Sequence, residues 1–343
     1  MKKAIDNIKN FTKNFVKNII PQFLTKELGP KPFHNYSPCP ELYKGIMKTL
    51  FEKYFIEAGS SVVTSSHWKE FGDKTTINKN NDFYLLKGLG FGIHRKKNVV
   101  NIIRYIPERI LIRNLIRENN PNPKTVNEVN KILKSWNVIF SFDHLKNLLS
   151  FDLINSQRLF NQTGYICIIG DGYAFFGTLI KMIHPKTKII FINLGKILPF
   201  DVWCFSRIFP EIEPLHLQSY KDVNAIQRHS VIFLEAEQYE LMRNLPISLF
   251  INIASMGEMD MPTIQKYFEY MRTSTVESYF YCCNREEKKM QSGIVRFSDY
   301  PWDVRDKKII DELCPWYQKF PISKPPFWRH FPPIRHRLVK LNK

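Results

Sequence analysis

Acidic residues are scarce here: 32 Asp and Glu stand against 50 Lys and Arg, for a formal charge of +18. A surplus of that size either favours an anionic partner or is spread as solvated charge. The candidate partners are nucleic acid, an anionic membrane face, and phosphorylated or lipid-linked sugars. Paired cysteines are also missing. Cys39, Cys167, Cys204, Cys282, Cys283 and Cys314 are scattered without a C-x-x-C pair. That argues against a disulfide framework or a zinc site, so no metal is expected, and it suits a reducing cytoplasm. No secretory signal is read, and no apolar run is long enough to span a bilayer. At 343 residues the chain has length for a sizeable core in one large domain or two.

The glycine pattern is incomplete as well. The stretch Gly164-Tyr165-Ile166-Cys167-Ile168-Ile169-Gly170-Asp171-Gly172-Tyr173-Ala174 runs apolar residues into two glycines. A helical pattern of Phe175, Phe176, Leu179, Ile180 and Ile183 follows. This predicts a buried parallel strand, a tight turn and a helix packed back on the sheet. A dinucleotide fingerprint would need a third glycine where Phe175 stands, and a P-loop would need lysine where Thr178 stands. What remains is a short G-x-G-x-[GA] turn, the form used by class I S-adenosylmethionine methyltransferases, or an ordinary β-α turn.

Before that turn, residues 1–28 read as a basic amphipathic helix, with Ile5, Ile8, Phe11, Phe15 and Ile19 on one face. It either attaches to an anionic inner membrane surface or packs on its own protein or a second subunit. Gly29-Pro30-Lys31-Pro32 is a connector, and 41–58 is helical. His67, Trp68 and His94 are candidates for substrate contact or for structural roles. Residues 107–150 predict three helices, broken at Pro121 and Pro123 and capped at Ser141. From 164 onward strands at 165–169, 188–194, 231–235, 248–254 and 278–283 alternate with helices at 175–184, 199–209, 237–244 and 262–273. An extended piece at 293–298 is expected to close the sheet as an edge. The fold class is therefore α/β, with a mostly parallel sheet covered by helices on both faces.

The polar residue ending the second strand is Asn193. In this architecture it faces the ribose of a bound nucleoside, where a carboxylate is usual. Hydrogen bonds to charged groups contribute about 1.5–3 kcal/mol and neutral ones about 0.5–1.5, so the amide weakens such a ligand roughly tenfold. Ser255 and Glu258 leave the fourth strand on the same rim as Gly170 and Gly172. A sugar hydroxyl needs its proton removed before it attacks a methyl group, and Glu258 is the expected base or orienting group. The alternative is that Glu258 caps a helix or pairs with Lys or Arg. Asp299, Tyr300 and Trp302 have the make-up of a sugar site, or of a structural corner about Pro301. The tail from Lys324 is basic and proline-rich, placed either to bind phosphate or to wrap the domain.

From Ser66-His67-Trp68 to about Trp302 the chain resembles a bacterial family of sugar O-methyltransferases with the class I fold. The resemblance is carried by Ile169-Gly170-Asp171-Gly172-Tyr173-Ala174, Ile192-Asn193-Leu194 and Ile251-Asn252-Ile253-Ala254-Ser255-Met256-Gly257-Glu258-Met259. Tyr279-Phe280-Tyr281 with Asn284-Arg285, and Phe297-Ser298-Asp299-Tyr300-Pro301-Trp302, extend it. It implies a seven-stranded Rossmann-like sheet and S-adenosylmethionine held by Gly170, Asp171, Gly172, Tyr173, Ala174, Asn193 and Leu194. It also implies a sugar or glycan acceptor, lipid-linked or phosphorylated, served by Glu258, Ser255 and Asp299. The expected organisation is a mainly helical region 1–155 for substrate or oligomer contacts, a cofactor domain 156–310 and a tail 311–343. A cytoplasmic protein at the inner membrane face, with a homo-oligomer open, goes with it. Ile168, Asn193 and Gly195-Lys196 depart from the family pattern, where an acid, an aspartate and Pro-Glu are usual. Two other readings remain. An RNA methyltransferase would use the charge, but no appended RNA-binding module is present, so nucleic acid is not expected. A non-catalytic scaffold would keep the fold and lose the cofactor.

Overall fold

The computed structural model describes residues 105–343 except 196, 220–224, 291–292, 323–325 and 327. Upstream it describes only 46–51, 53, 76–80, 83–87, 97, 99 and 102. The amphipathic stretch 1–28, the connector after it, His67, Trp68 and His94 lie outside the described residues.

Within 41–58, α1 covers Ile46–Phe51, and β1 (Thr76–Asn80) pairs antiparallel with β2 (Phe83–Lys87). The three expected helices follow as α2 (Ile106–Asn119), α3 (Pro123–Trp136) and α4 (Phe142–Ser156). Their ends are set by local chemistry. Asn120 and Asn137 close α2 and α3 in the left-handed conformation that asparagine tolerates. The Asn122 side chain accepts from the Lys124 amide at 2.9 Å ahead of Pro123. At the start of α4 the Ser141 amide donates to His144 Nδ1 at 3.0 Å.

The sheet region then runs β3 (Tyr165–Ile169), α5 (Phe175–Ile183), β4 (Lys188–Asn193), α6 (Leu198–Ser206), β5 (Leu215–Leu217), β6 (Val231–Glu235) and β7 (Ile247–Ile253). It continues with α7 (Met261–Met271), β8 (Tyr279–Arg285), β9 (Glu287–Met290), β10 (Gly293–Arg296), β11 (Lys307–Leu313), β12 (Lys319–Pro321), β13 (Trp328–His330) and β14 (Ile334–Lys340). The main sheet has the order β11-β14-β8-β7-β3-β4-β6-β5. Every strand is parallel to β3 except β14, which is antiparallel to both of its neighbours. A parallel sheet with one antiparallel strand inserted next to an edge is the class I methyltransferase arrangement.

Side-chain alternation explains why both faces are covered. Ile166, Ile168, Phe191, Phe233, Ile251 and Tyr281 pack with α3 to α6 on one face. Cys167, Ile169, Ile192, Leu234, Phe250 and Phe280 pack with α7 and the 297–302 corner on the other. Each large apolar side chain buried this way contributes about 1.5–3 kcal/mol. The cysteines Cys167, Cys204, Cys282, Cys283 and Cys314 are free and buried, and burial pushes the Cys167 and Cys282 thiols up. They pack as small hydrophobes.

Four expectations need correction. The sheet has eight strands rather than seven, because short β5 adds to β6. Residues 237–244 are not an α-helix: Ala236–Met242 forms 3-10 turns broken at Gln238. The 293–298 piece does not close the sheet, since β10 pairs with β9 in a separate hairpin. The stretch 311–343 is not an appended tail either. It supplies β14 between β11 and β8, where Ile334, Leu338 and Val339 are buried. Two of its arginines meet carboxylates in place, with Arg335 on Glu286 and Asp311 and Arg337 on Asp311.

Candidate functional site

The chain leaves β3 at the point where the strand order reverses, β4 and β6 lying to one side and β7 and β8 to the other. In open α/β sheets the crevice at that point, beyond the carboxyl ends of the strands, is where ligands bind. Gly170 (φ +72°), Gly172 (+62°), Tyr173 (+71°) and Ala174 (+52°) are all left-handed here. A side chain at Gly170 would strike Ser255 Oγ, only 2.3 Å from the added carbon. At Gly172 the added carbon would meet nothing within 4 Å, so the turn opens into space.

Two carboxylates hold this turn, Asp201 buried and Asp171 half-buried. Asp171 caps α5, accepting from the Phe176 and Gly177 amides at 2.9 Å each. Burial outweighs those bonds and raises its carboxyl to about 7. Asp201, from α6, accepts from the Ala174 amide at 3.0 Å and from Asn193 Nδ2 at 2.8 Å. Burial first, and then the nearby Asp171 charge, push it up to about 8. Consecutive left-handed residues form a concave set of amides that suits an anion, and Asp201 fills it from within the chain. Asn193 Oδ1 also accepts from the Leu194 amide at 3.0 Å, so both ends of its carboxamide are engaged.

Beyond β7 a second network fixes the Ser255–Glu258 turn. Ser255 Oγ donates to the Ile169 carbonyl at 3.0 Å and accepts from Asn252 Nδ2 at 2.6 Å. Asn252 Oδ1 accepts from the Met256 amide and from Asn284 Nδ2, and Asn284 Oδ1 accepts from the Gly257 amide. Ser255 is thus placed directly beside the glycine turn. Glu258 Oε1 accepts from Lys288 Nζ of β9 at 2.8 Å, which ties the turn to the β9–β10 hairpin.

Asp299 ends the Phe297–Asp299 turn, half-exposed, and accepts from Ser298 Oγ. Tyr300 and Trp302 face inward. Trp302 stacks on Phe280 at 5.7 Å and donates to the Phe297 carbonyl, while the buried Tyr300 ring packs on Phe297. They form the structural corner. The structure therefore gathers Gly170–Ala174, Asn193, Leu194, Ser255 and Glu258 on one rim, while Asp299 lies in the turn after β10.

Sequence reasoning missed three groups on this rim. Asp201 acts across eight residues and two elements, so no local spacing marks it. Asn252 sits inside an apolar strand pattern. Glu235 ends β6 opposite Asn193, buried, and takes Lys53 Nζ at 2.8 Å and His216 Nε2 at 3.1 Å. Its position as a lone acid closing an apolar run was the available signal. Among the described residues no three His, Cys, Asp or Glu side chains cluster to hold a metal, and no helix is long and apolar enough to cross a membrane.

No family model and no curated protein matches the chain. Similarity is found among solved structures. The Thermoplasma acidophilum 1320 protein is 10% identical, covering 63% of this chain and 97% of its own, with a TM-score of 0.39. A SAM-dependent methyltransferase from Aquifex aeolicus is 11% identical over 56% and 89%, with a TM-score of 0.32. The glycopeptide N-methyltransferase MtfA, complexed with sinefungin, is 10% identical over 57% and 86%, with a TM-score of 0.35. The class I methyltransferase fold itself rests on this chain's own strand order, with β14 inserted antiparallel between β8 and β11.

Proposed function

We propose that the chain is an S-adenosylmethionine-dependent methyltransferase acting on a hydroxyl of a sugar-bearing acceptor. The observation that carries the reading is the open space over Gly172 at the reversal of strand order, with Ser255 and Glu258 on the adjoining strand end. That opening is the fit for the cofactor: Gly170–Ala174 with Asn193 and Leu194 would hold it. Bound there, the cofactor supplies an electrophilic methyl group on a sulfonium sulfur.

The chain's own residues do the rest. Ser255 acts as a positioning residue, since its hydroxyl bridges Asn252 and the Ile169 carbonyl and keeps the turn against Gly170. Glu258 takes the proton of the acceptor hydroxyl as the oxygen–methyl bond forms, and passes it to water. Lys288, on Glu258 Oε1, holds the carboxylate in place. Asp299 would accept from another sugar hydroxyl. Placed general bases contribute roughly 10²- to 10⁴-fold. Glu258→Gln is therefore expected to slow methyl transfer at least about 100-fold with adenosyl affinity retained. Unchanged turnover would remove Glu258 from the reaction. Mass spectrometry of surface glycans from a deletion strain, read for a lost methyl group, identifies the acceptor.

One observation favours a second reading, a non-catalytic binding protein. Asp201 already fills the amide concavity of the turn and Asn193 is committed to it. A folded wild-type chain that binds no adenosyl ligand would establish that reading in place of the first.

A further inference from the structure

Because β14 runs antiparallel and β11 parallel, the 314–333 connection crosses the same rim on which β3, β4, β7 and β8 end. It carries the β12–β13 hairpin, and Arg285, the last residue of β8, pairs in register with Ile334 beside it. The connection builds a stack of rings there. Phe331 stacks on Tyr317 at 5.6 Å and on Phe320 at 5.1 Å. The Arg285 guanidinium lies 4.7 Å from the Phe331 ring centre and the Arg329 guanidinium 5.8 Å from that of Phe320.

These two cations differ from their neighbours. Lys288, Arg296, Arg335 and Arg337 each have a carboxylate within 4.0 Å. Among the described residues Arg285 and Arg329 have none, and each lies over an aromatic ring. A guanidinium that lies over a ring and meets no carboxylate keeps its forked donors available to take a phosphate on two bonds. Lone cations are ordinary on a chain of charge +18. Two on one aromatic stack, at the rim of the reaction site, are a more specific arrangement.

We propose that Arg285 and Arg329 recognise phosphate on the acceptor, so that the substrate class is a phosphorylated sugar rather than a neutral glycan. This rests on the methyltransferase reading for its place in the reaction, but the anion site is measurable without it. A soluble nucleoside diphosphate sugar and a membrane-borne polyprenyl diphosphate share this chemistry. The test is equilibrium binding of UDP-glucose, of detergent-solubilised polyprenyl diphosphate and of methyl glucoside. Binding of S-adenosylhomocysteine and a short oligoribonucleotide is measured alongside, on wild type, Arg285→Gln, Arg285→Lys and Arg329→Gln.

One or both diphosphates are expected to bind wild type, methyl glucoside not at all, and each Gln variant about tenfold more weakly, since charged hydrogen bonds are lost. Added salt weakens the interaction, and Arg285→Lys recovers part of it through charge without the fork. Which diphosphate binds more tightly tells a soluble acceptor from a membrane-borne one. No diphosphate binding by wild type, or equal binding by folded Gln variants, overturns the inference, as does binding of the oligoribonucleotide alone. If S-adenosylhomocysteine binds and the diphosphates do not, the inference fails and the methyltransferase reading stands. If the diphosphates bind and S-adenosylhomocysteine does not, the reverse holds.

Discussion

At the residue scale the turn after β3 is governed by Asp171 and Asp201. Both carboxyls are raised by burial above the ordinary carboxylate range, to about 7 and about 8. Between about pH 4 and 8 the folded chain therefore holds protons that the unfolded chain releases. The stabilisation from these groups is fully present below the unfolded value and is lost as pH rises through the folded ones. Urea unfolding from pH 5 to 8 is expected to show stability falling with pH, and Asp201→Asn should flatten that slope. An identical slope in the variant would mean Asp201 is already ionised in the fold. Gly172→Ala isolates the backbone: nothing meets the new carbon, so only the left-handed φ is charged, about 1 kcal/mol by urea unfolding. The glycine bend was legible because an apolar run stopping at Gly170 has few other meanings. Asp201 was not, because its partners Ala174 and Asn193 come together only after α6 folds onto the sheet.

Among elements, the Asn252–Asn284 pair joins the ends of β7 and β8 and sets the Ser255–Glu258 turn. Asn284→Ala leaves the Gly257 amide without its acceptor and Asn252 Oδ1 with the Met256 amide as its remaining donor. The expected cost is about 1–3 kcal/mol in chemical unfolding, with a larger loss of methyl transfer than of adenosyl affinity because the acceptor side is what moves. A variant as stable as wild type would show the network to be dispensable. The helices from α2 to α4 were legible from their punctuation, with Pro121 and Pro123 parting α2 from α3 and Ser141 capping α4. After β8 only the extended piece at 293–298 was legible, not its pairing with β9 nor the strands from 307 onward. Their lysines and arginines read as solvated surface, and only the assembled sheet shows Arg335 and Arg337 meeting Asp311.

For the whole molecule, order in sequence and order in space part company at β14. The last strand to be made lies second from the edge, between β11 and β8, so β8 has no outer partner until it arrives. Truncation after residue 333 is expected to abolish cooperative unfolding and leave an aggregation-prone chain, because β8 would expose its ladder; a truncated chain with a sharp transition would contradict this. The central claim is that the opening over Gly172 takes an adenosyl group. Titration calorimetry with S-adenosylhomocysteine measures it directly: one equivalent should bind wild type, and none should bind a folded Gly172→Asp. A folded wild-type chain that takes up no ligand would contradict the account.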